Sequence, residues 1–192
     1  MRIRHSIVNK PWVTLNQIHS NKIVRVSDTV NSDTVLTEGD ALISNNLKCA
    51  IAVFAADCGN VGIVTDNGLI AAVHCGWRGL ENKILQNTVK ELLSMGASDI
   101  YAIVGPNIRK ECYEFGEEDL KRLVSIYGNQ AKATTTKKTP SLDINYCIES
   151  ILESLNVKIA FKNNHCTKCS DEYFSFRKDK TSKRQALVLY FG

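Results

Sequence analysis

The chain has 192 residues, 44% of them hydrophobic, and 24 lysines and arginines against 20 aspartates and glutamates give it a formal charge of +4. That length suits one domain with a full-sized core, and a charged fraction of 23% with only three prolines excludes a disordered chain. The longest apolar run, Cys49 to Ala56, is far short of the roughly 20 residues that cross a bilayer, so no membrane partner is expected.

The basic start, Met1 to Ser6, is followed by no apolar stretch, so no secretory signal and a cytoplasmic location are expected. Seven cysteines, an odd number, then point to reduced thiols rather than a disulfide framework. The basic residues gather at Arg177-Lys178-Asp179-Lys180, Lys183-Arg184 and Lys137-Lys138. These short runs read as solvated surface, and nucleic acid is not the expected partner.

Taken in chain order, strand-like runs cover Lys22–Val26, Ala41–Ser44, Cys49–Ala56, Val61–Thr65 and Leu69–His74. Asn67-Gly68 is a strong hairpin signal, and Gly59-Asn60 marks a second turn, so 49–74 reads as an antiparallel meander running up, down and up. A helix follows Gly76-Trp77-Arg78-Gly79, with Ile84, Leu85, Val89 and Leu92 at helical spacing and Gly96 as its stop. Ile100–Val104 reads as a buried strand, Glu117–Tyr127 as a helix with an acidic first turn, and Gly128–Pro140 as a polar loop. A third helix is capped by Asp143 and buries Cys147, Ile148 and Ile151, after which Val157–Phe161 and Ala186–Tyr190 close the chain as strands. The mixture of hairpins and helices predicts an α+β fold with mixed, partly antiparallel sheets and about three main helices, one domain over 1–192.

The meander puts Asp57-Cys58 and His74 at one sheet edge, two strand spacings or about 10 Å apart. A thiolate and an imidazole there suit Zn²⁺, a Cys–His nucleophile and base, or simply a buried thiol beside a capped histidine. His19, in the polar loop Leu15–Asn21, would if it reached them make a third ligand and leave a position open, as catalytic zinc sites do. Spacing alone does not bring it there, and by itself it reads as a surface histidine. Cys75 should face away from His74 if strand alternation holds. Cys166-Thr167-Lys168-Cys169 has metal-like spacing but no second pair to complete it, so these read as buried or surface thiols, and Cys112 stays open.

The ordered motifs Gln17-Ile18-His19-Ser20, Gly39-Asp40-Ala41, Ala56-Asp57-Cys58, Val73-His74-Cys75-Gly76-Trp77-Arg78-Gly79, Gly105-Pro106-Asn107, Cys112-Tyr113-Glu114-Phe115-Gly116, Cys166-Thr167 and Tyr173-Phe174-Ser175-Phe176-Arg177 resemble the laccase-domain family. Its members are labelled multicopper polyphenol oxidases and also described as zinc-dependent purine nucleoside phosphorylases. The resemblance implies a metal, zinc with copper as the alternative, on His19, Cys58 and His74. It implies Asp57 and Arg78 beside that site, with Asp57 supplying or relaying a proton, and Gln17, Asn107, Phe174, Phe176 and Arg177 toward the substrate. The implied reaction is phosphorolysis of adenosine, inosine, guanosine or methylthioadenosine, with adenosine deamination possible, by a monomer or homodimer. Purine nucleoside and phosphate are the implied partners.

Departures bear on this. Met1–Trp12 does not match the family's Thr-Arg…Gly-Gly stretch, so phosphate falls to Arg78 or Arg177, aided by the helix start at 75–79. Asn60 stands for a proline, Cys75 for an alanine, and Lys183-Arg184 for Gly-Arg. The usual deaminase signature, His-x-Glu with Pro-Cys-x-x-Cys, is absent. Four histidines are too few for a blue copper centre plus a trinuclear cluster, which weakens the polyphenol oxidase reading. A thiol hydrolase on Cys58 and His74, and a structural-zinc module that binds nucleic acid without turnover, are the remaining alternatives.

Overall fold

Residues 6–192 are described by the computed structural model, so what was expected of Met1–His5 lies outside the described residues. In chain order the elements are β1 (Trp12–Asn16), β2 (Ile23–Arg25), β3 (Thr34–Glu38), β4 (Ala41–Ser44), β5 (Ala50–Ala55), β6 (Gly59–Thr65), β7 (Ile70–Cys75), α1 (Trp77–Glu81), α2 (Ile84–Ser94), β8 (Ile100–Val104), α3 (Glu117–Tyr127), β9 (Lys132–Thr134), β10 (Pro140–Leu142), α4 (Ile144–Ser154), β11 (Lys158–Lys162), α5 (Phe176–Asp179) and β12 (Gln185–Leu189). They make an α+β domain with two main sheets, one in the order β12-β5-β1-β3 and one in the order β11-β8-β6-β7-β4-β2. Both sheets mix parallel and antiparallel pairs.

The layers follow from alternation along β7, which is buried on both sides. Ile70 and Ala72 face the smaller sheet and pack with Val13, Leu42, Ile51 and Val53. Ala71, Val73 and Cys75 face the helices and pack with Ile84, Leu85, Leu92, Cys147 and Ile148. A strand with two buried faces reads as a continuous apolar run rather than an alternating one. None of the described helices is long and apolar enough to cross a membrane.

The Asn67-Gly68 hairpin joins β6 to β7 as expected, with Gly68 at φ 79°. Asp143 caps α4 by accepting from the Tyr146 amide at 3.1 Å. The three-stranded meander is corrected. β5 leaves for the other sheet, where it lies parallel to β1 and antiparallel to β12. The chain turns at Asp57, whose φ is 88°, and Gly59-Asn60 lies inside β6 rather than in a turn. Gly59 serves packing instead: a Cβ there would run into Ile148 Cδ1.

Other expectations shift less. The helix after Gly76 breaks into α1 and α2 at Lys83, φ 66°. β8 is buried on one face only, with Tyr101 and Ile103 exposed. The stretch 128–140 carries the β9–β10 hairpin. β1 and β3 were not anticipated; β1 shows four consecutive buried residues and no alternation to reveal it.

Candidate functional site

Re-routing β5 brings the site residues closer than the meander would. Cys58 immediately precedes β6, and Asn60 pairs with His74 on the adjacent β7, so one strand spacing separates the two chains. His19 arrives from the loop after β1 in a left-handed conformation, φ 59°. The ligand atoms of His19, Cys58 and His74 all lie within 4.8 Å of one another. Cys58 Sγ is 3.9 Å from His19 Nε2, and the two imidazoles meet edge-on at 4.9 Å between centroids.

Asp40, fully buried at the start of β4, holds this arrangement together. Its carboxylate accepts from His74 Nδ1 at 2.8 Å, from the amides of Ile18, His19 and Ser20, and from the Ser20 hydroxyl. Its carbonyl accepts from the His74 amide at 2.7 Å. One residue therefore sets both histidines and leaves His74 Nε2 facing the thiol, the second-sphere pattern of metal-ligating histidines. Burial works against the Asp40 charge, but His74 and Ser20 bring its pKa down to about 2. Burial also opposes charge on Cys58 and His74. The two imidazoles nonetheless draw the thiol down, while Asp40 and the thiolate raise His74.

Two imidazoles and a thiolate at this spacing fit a tetrahedral ion, which holds nitrogen at about 2.0–2.1 Å and sulfur at about 2.3 Å. Space fits too. A Cβ on Gly76 would lie 2.9 Å from His19, 3.4 Å from His74 and 3.5 Å from Cys58, so only glycine leaves the cradle open. Cys75 faces the helical core, as strand alternation requires, and burial raises its thiol well above the ordinary range.

The cluster opens into a cavity of about 510 Å³ lined by Gln17, Phe54, Asp57, Trp77, Arg78, Tyr113, Phe176, Arg177 and Arg184 among others. Asp57 is buried, and both its oxygens are engaged, one by Thr167 Oγ1 and one by the Arg177 amide, each at 2.7 Å. Arg78 stacks on Trp77 at 4.3 Å and Arg177 on Tyr113 at 5.0 Å. Among the described residues none of Arg78, Arg177 and Arg184 meets a carboxylate.

Two expected substrate contacts, Asn107 and Phe174, are placed differently, and a third, Gln17, lies where expected with its amide already engaged. Asn107 does not line the cavity: it is fully buried and exchanges amide hydrogen bonds with Asn145 at 2.8 and 2.9 Å. Phe174 lies outside the lining, half exposed. Gln17 lines the cavity, but its amide is occupied by both backbone groups of Phe54 at 2.8 Å. Sequence reasoning missed the roles of Asp40, Tyr113 and Arg184. A carboxylate opening an apolar strand, Asp40-Ala41-Leu42-Ile43, was the available signal for Asp40.

Residues 2–191 match the family model described as multi-copper polyphenol oxidoreductase laccase. A purine nucleoside phosphorylase of Clostridium acetobutylicum is 38% identical over 177 residues, 88% of this chain and 71% of that protein. One from Aquifex aeolicus is 34% identical over 91% of this chain and 81% of its own length. A crystal structure of a Neisseria meningitidis protein superposes with a TM-score of 0.85 at 28% identity, covering 100% of this chain and 79% of that one. The chain belongs to the multi-copper polyphenol oxidoreductase laccase family, among relatives named purine nucleoside phosphorylases.

Proposed function

We infer that the chain is a metal-dependent purine nucleoside phosphorylase. Its substrates are adenosine, inosine, guanosine or methylthioadenosine, with adenosine deamination as a secondary activity. The observation that carries this is the meeting, in one cavity of about 510 Å³, of the His19–Cys58–His74 cluster and three arginines free of carboxylates. A site with unneutralised guanidinium groups suits phosphate, which arginine binds in a bidentate fashion.

His19, Cys58 and His74 would hold the metal, zinc by donor type, although copper accepts the same set. When bound, such an ion supplies Lewis acidity toward a substrate oxygen. Arg78, Arg177 and Arg184 take the phosphate, because α1 has only five residues and too little helix to do so. Phe176, partly exposed in the cavity wall, offers a flat face to the purine. Asp57, with both oxygens accepting, fixes the turn at Arg177 rather than moving a proton. Burial raises the Tyr113 phenol well above its ordinary range, so it offers the departing purine a hydrogen bond and keeps its proton.

Phenol oxidation is the weaker reading. The two thiol-bearing metal-type groups among the described residues hold two histidines between them, too few for four coppers. Product analysis of zinc-loaded protein with adenosine decides the matter. Adenine and ribose 1-phosphate formed only with phosphate support the reading, whereas inosine formed without phosphate makes the chain a deaminase. Full turnover after chelation would overturn the metal's role in favour of a Cys58 hydrolase.

A further inference from the structure

A second cluster lies outside the cavity. The sulfurs of Cys112, Cys166 and Cys169 are all within 4.8 Å of one another, and Cys112 Sγ is 3.0 Å from Cys169 Sγ. The cysteines come from two loops, one after β8 and one after β11, and those strands are parallel neighbours whose ends share an edge. An isolated bridge between Asn107 and Cys166 joins the loops, and the Thr167 amide donates to the Asn107 carbonyl at 3.1 Å.

The turn at Cys166 is built like a ligand knuckle. Its carbonyl accepts from the amides of Cys169 at 3.2 Å and Ser170 at 3.0 Å, which folds the two thiols of the C-x-x-C segment to one side. The Arg109 amide donates to Cys166 Sγ at 3.4 Å, a bond that orients a thiolate. Cys112 and Cys166 are half-buried and Cys169 is exposed, so an ion could enter from solvent.

We propose that Cys112, Cys166 and Cys169 form a second metal site that takes a thiophilic d¹⁰ cation, Zn²⁺ or Cu⁺, on three thiolates. Sulfurs that share such an ion at about 2.3 Å stand roughly 3.8 Å apart, within the range the three occupy. A disulfide would use two of the sulfurs and leave the third idle; a soft cation uses all three. The fourth position faces solvent through Cys169. The site is a clip between two walls of the cavity, since Cys112 adjoins Tyr113 and Cys166 adjoins Thr167, the partner of Asp57. It does not depend on which reaction the cavity performs.

The test is metal content of the full chain, reduced, loaded in parallel with Zn²⁺ and with Cu⁺, then desalted. Wild type should hold two equivalents of at least one of these ions, and Cys58→Ser and Cys169→Ser one each; Cys112→Ser repeats the measurement from the other loop. Cobalt-loaded Cys58→Ser should keep a thiolate-to-cobalt charge-transfer band, and adding Cys169→Ser should remove it. A single equivalent in wild type with neither metal nor band in Cys58→Ser overturns the proposal. So does a thiol titration without reductant that finds two thiols missing, restored in Cys169→Ser, because that is a Cys112–Cys169 disulfide.

Discussion

Two regions of this molecule gather thiols, and they do so by different means. At the inner cluster, the β6–β7 ladder sets the distance between Cys58 and His74 by pairing Asn60 with His74 and Gly59 with Cys75, and Asp40 adds the His19 loop to both. The outer cluster hangs from two loops joined by the Asn107–Cys166 bridge and by the Arg109 amide on Cys166 Sγ, and its link to a buried carboxylate is indirect, through Thr167 to Asp57. The inner geometry is therefore imposed by the scaffold. The outer geometry depends on what the sulfurs themselves bind.

The largest break in that comparison is His74→Ala. It deletes a ligand and leaves the buried Asp40 carboxylate without its imidazole, so inner-site metal should be lost and turnover should fall by more than ~100-fold. Metal analysis beside a steady-state assay checks this, and wild-type activity would refute the role of His74. Asp40→Asn comes next, with a loss of about 10–100-fold in metal affinity, since it removes a second-sphere anchor while every ligand stays. Its melting temperature should also drop, because hydrogen bonds to a charged group contribute about 1.5–3 kcal/mol each.

Gly76→Ala sharpens the comparison within the inner cluster. The added methyl would push against the His19 ring at 2.9 Å, so metal affinity should fall roughly 10-fold, or about 1.4 kcal/mol, with the melting temperature little changed. A competition titration against a zinc-binding dye reads that shift. An Ala variant that binds as tightly as wild type would show that the cradle has slack.

The smallest effect concerns a loop held without any thiol. Asp66 accepts from the Ser98 hydroxyl and from the amides of Ser98 and Asp99, which bring its pKa down to about 2. Its folded value lies below the unfolded one near 3.9, so its stabilisation is complete above about pH 4 and is lost as pH falls toward 2. Asp66→Asn should flatten the acid limb over that window and leave metal content untouched. Denaturant midpoints at successive pH values follow it.

Local chemistry was legible where local chemistry decides. Asn67-Gly68 made its hairpin, Asp143 its cap, and Glu117–Tyr127 its helix with the same bounds. His19, Cys58 and His74 were grouped by resemblance, and they converge here although spacing alone could not join His19 to the rest. What escaped was non-local. β5 was given to its sequence neighbour β6 because nothing within 49–74 announces that β12 will pair with it. Cys166 and Cys169 have no partner in the local sequence because Cys112 lies 57 residues before Cys169. Asn107 pointed to the cavity by motif, whereas its amide is taken by Asn145.

One feature of the cavity wall reaches into the order of assembly. The two hydrogen bonds to the Asp57 carboxylate come from residues 110 and 120 positions further along the chain. Closing loops of that length is entropically slow, so contacts of this kind form late in folding. During synthesis the metal-type cluster at His19, Cys58 and His74 emerges from the ribosome with Arg78 but well before Arg177 and Arg184, which complete the arginine wall. A nascent chain could therefore hold its ion before it has a pocket, and refolding with metal present should recover ion binding earlier than turnover.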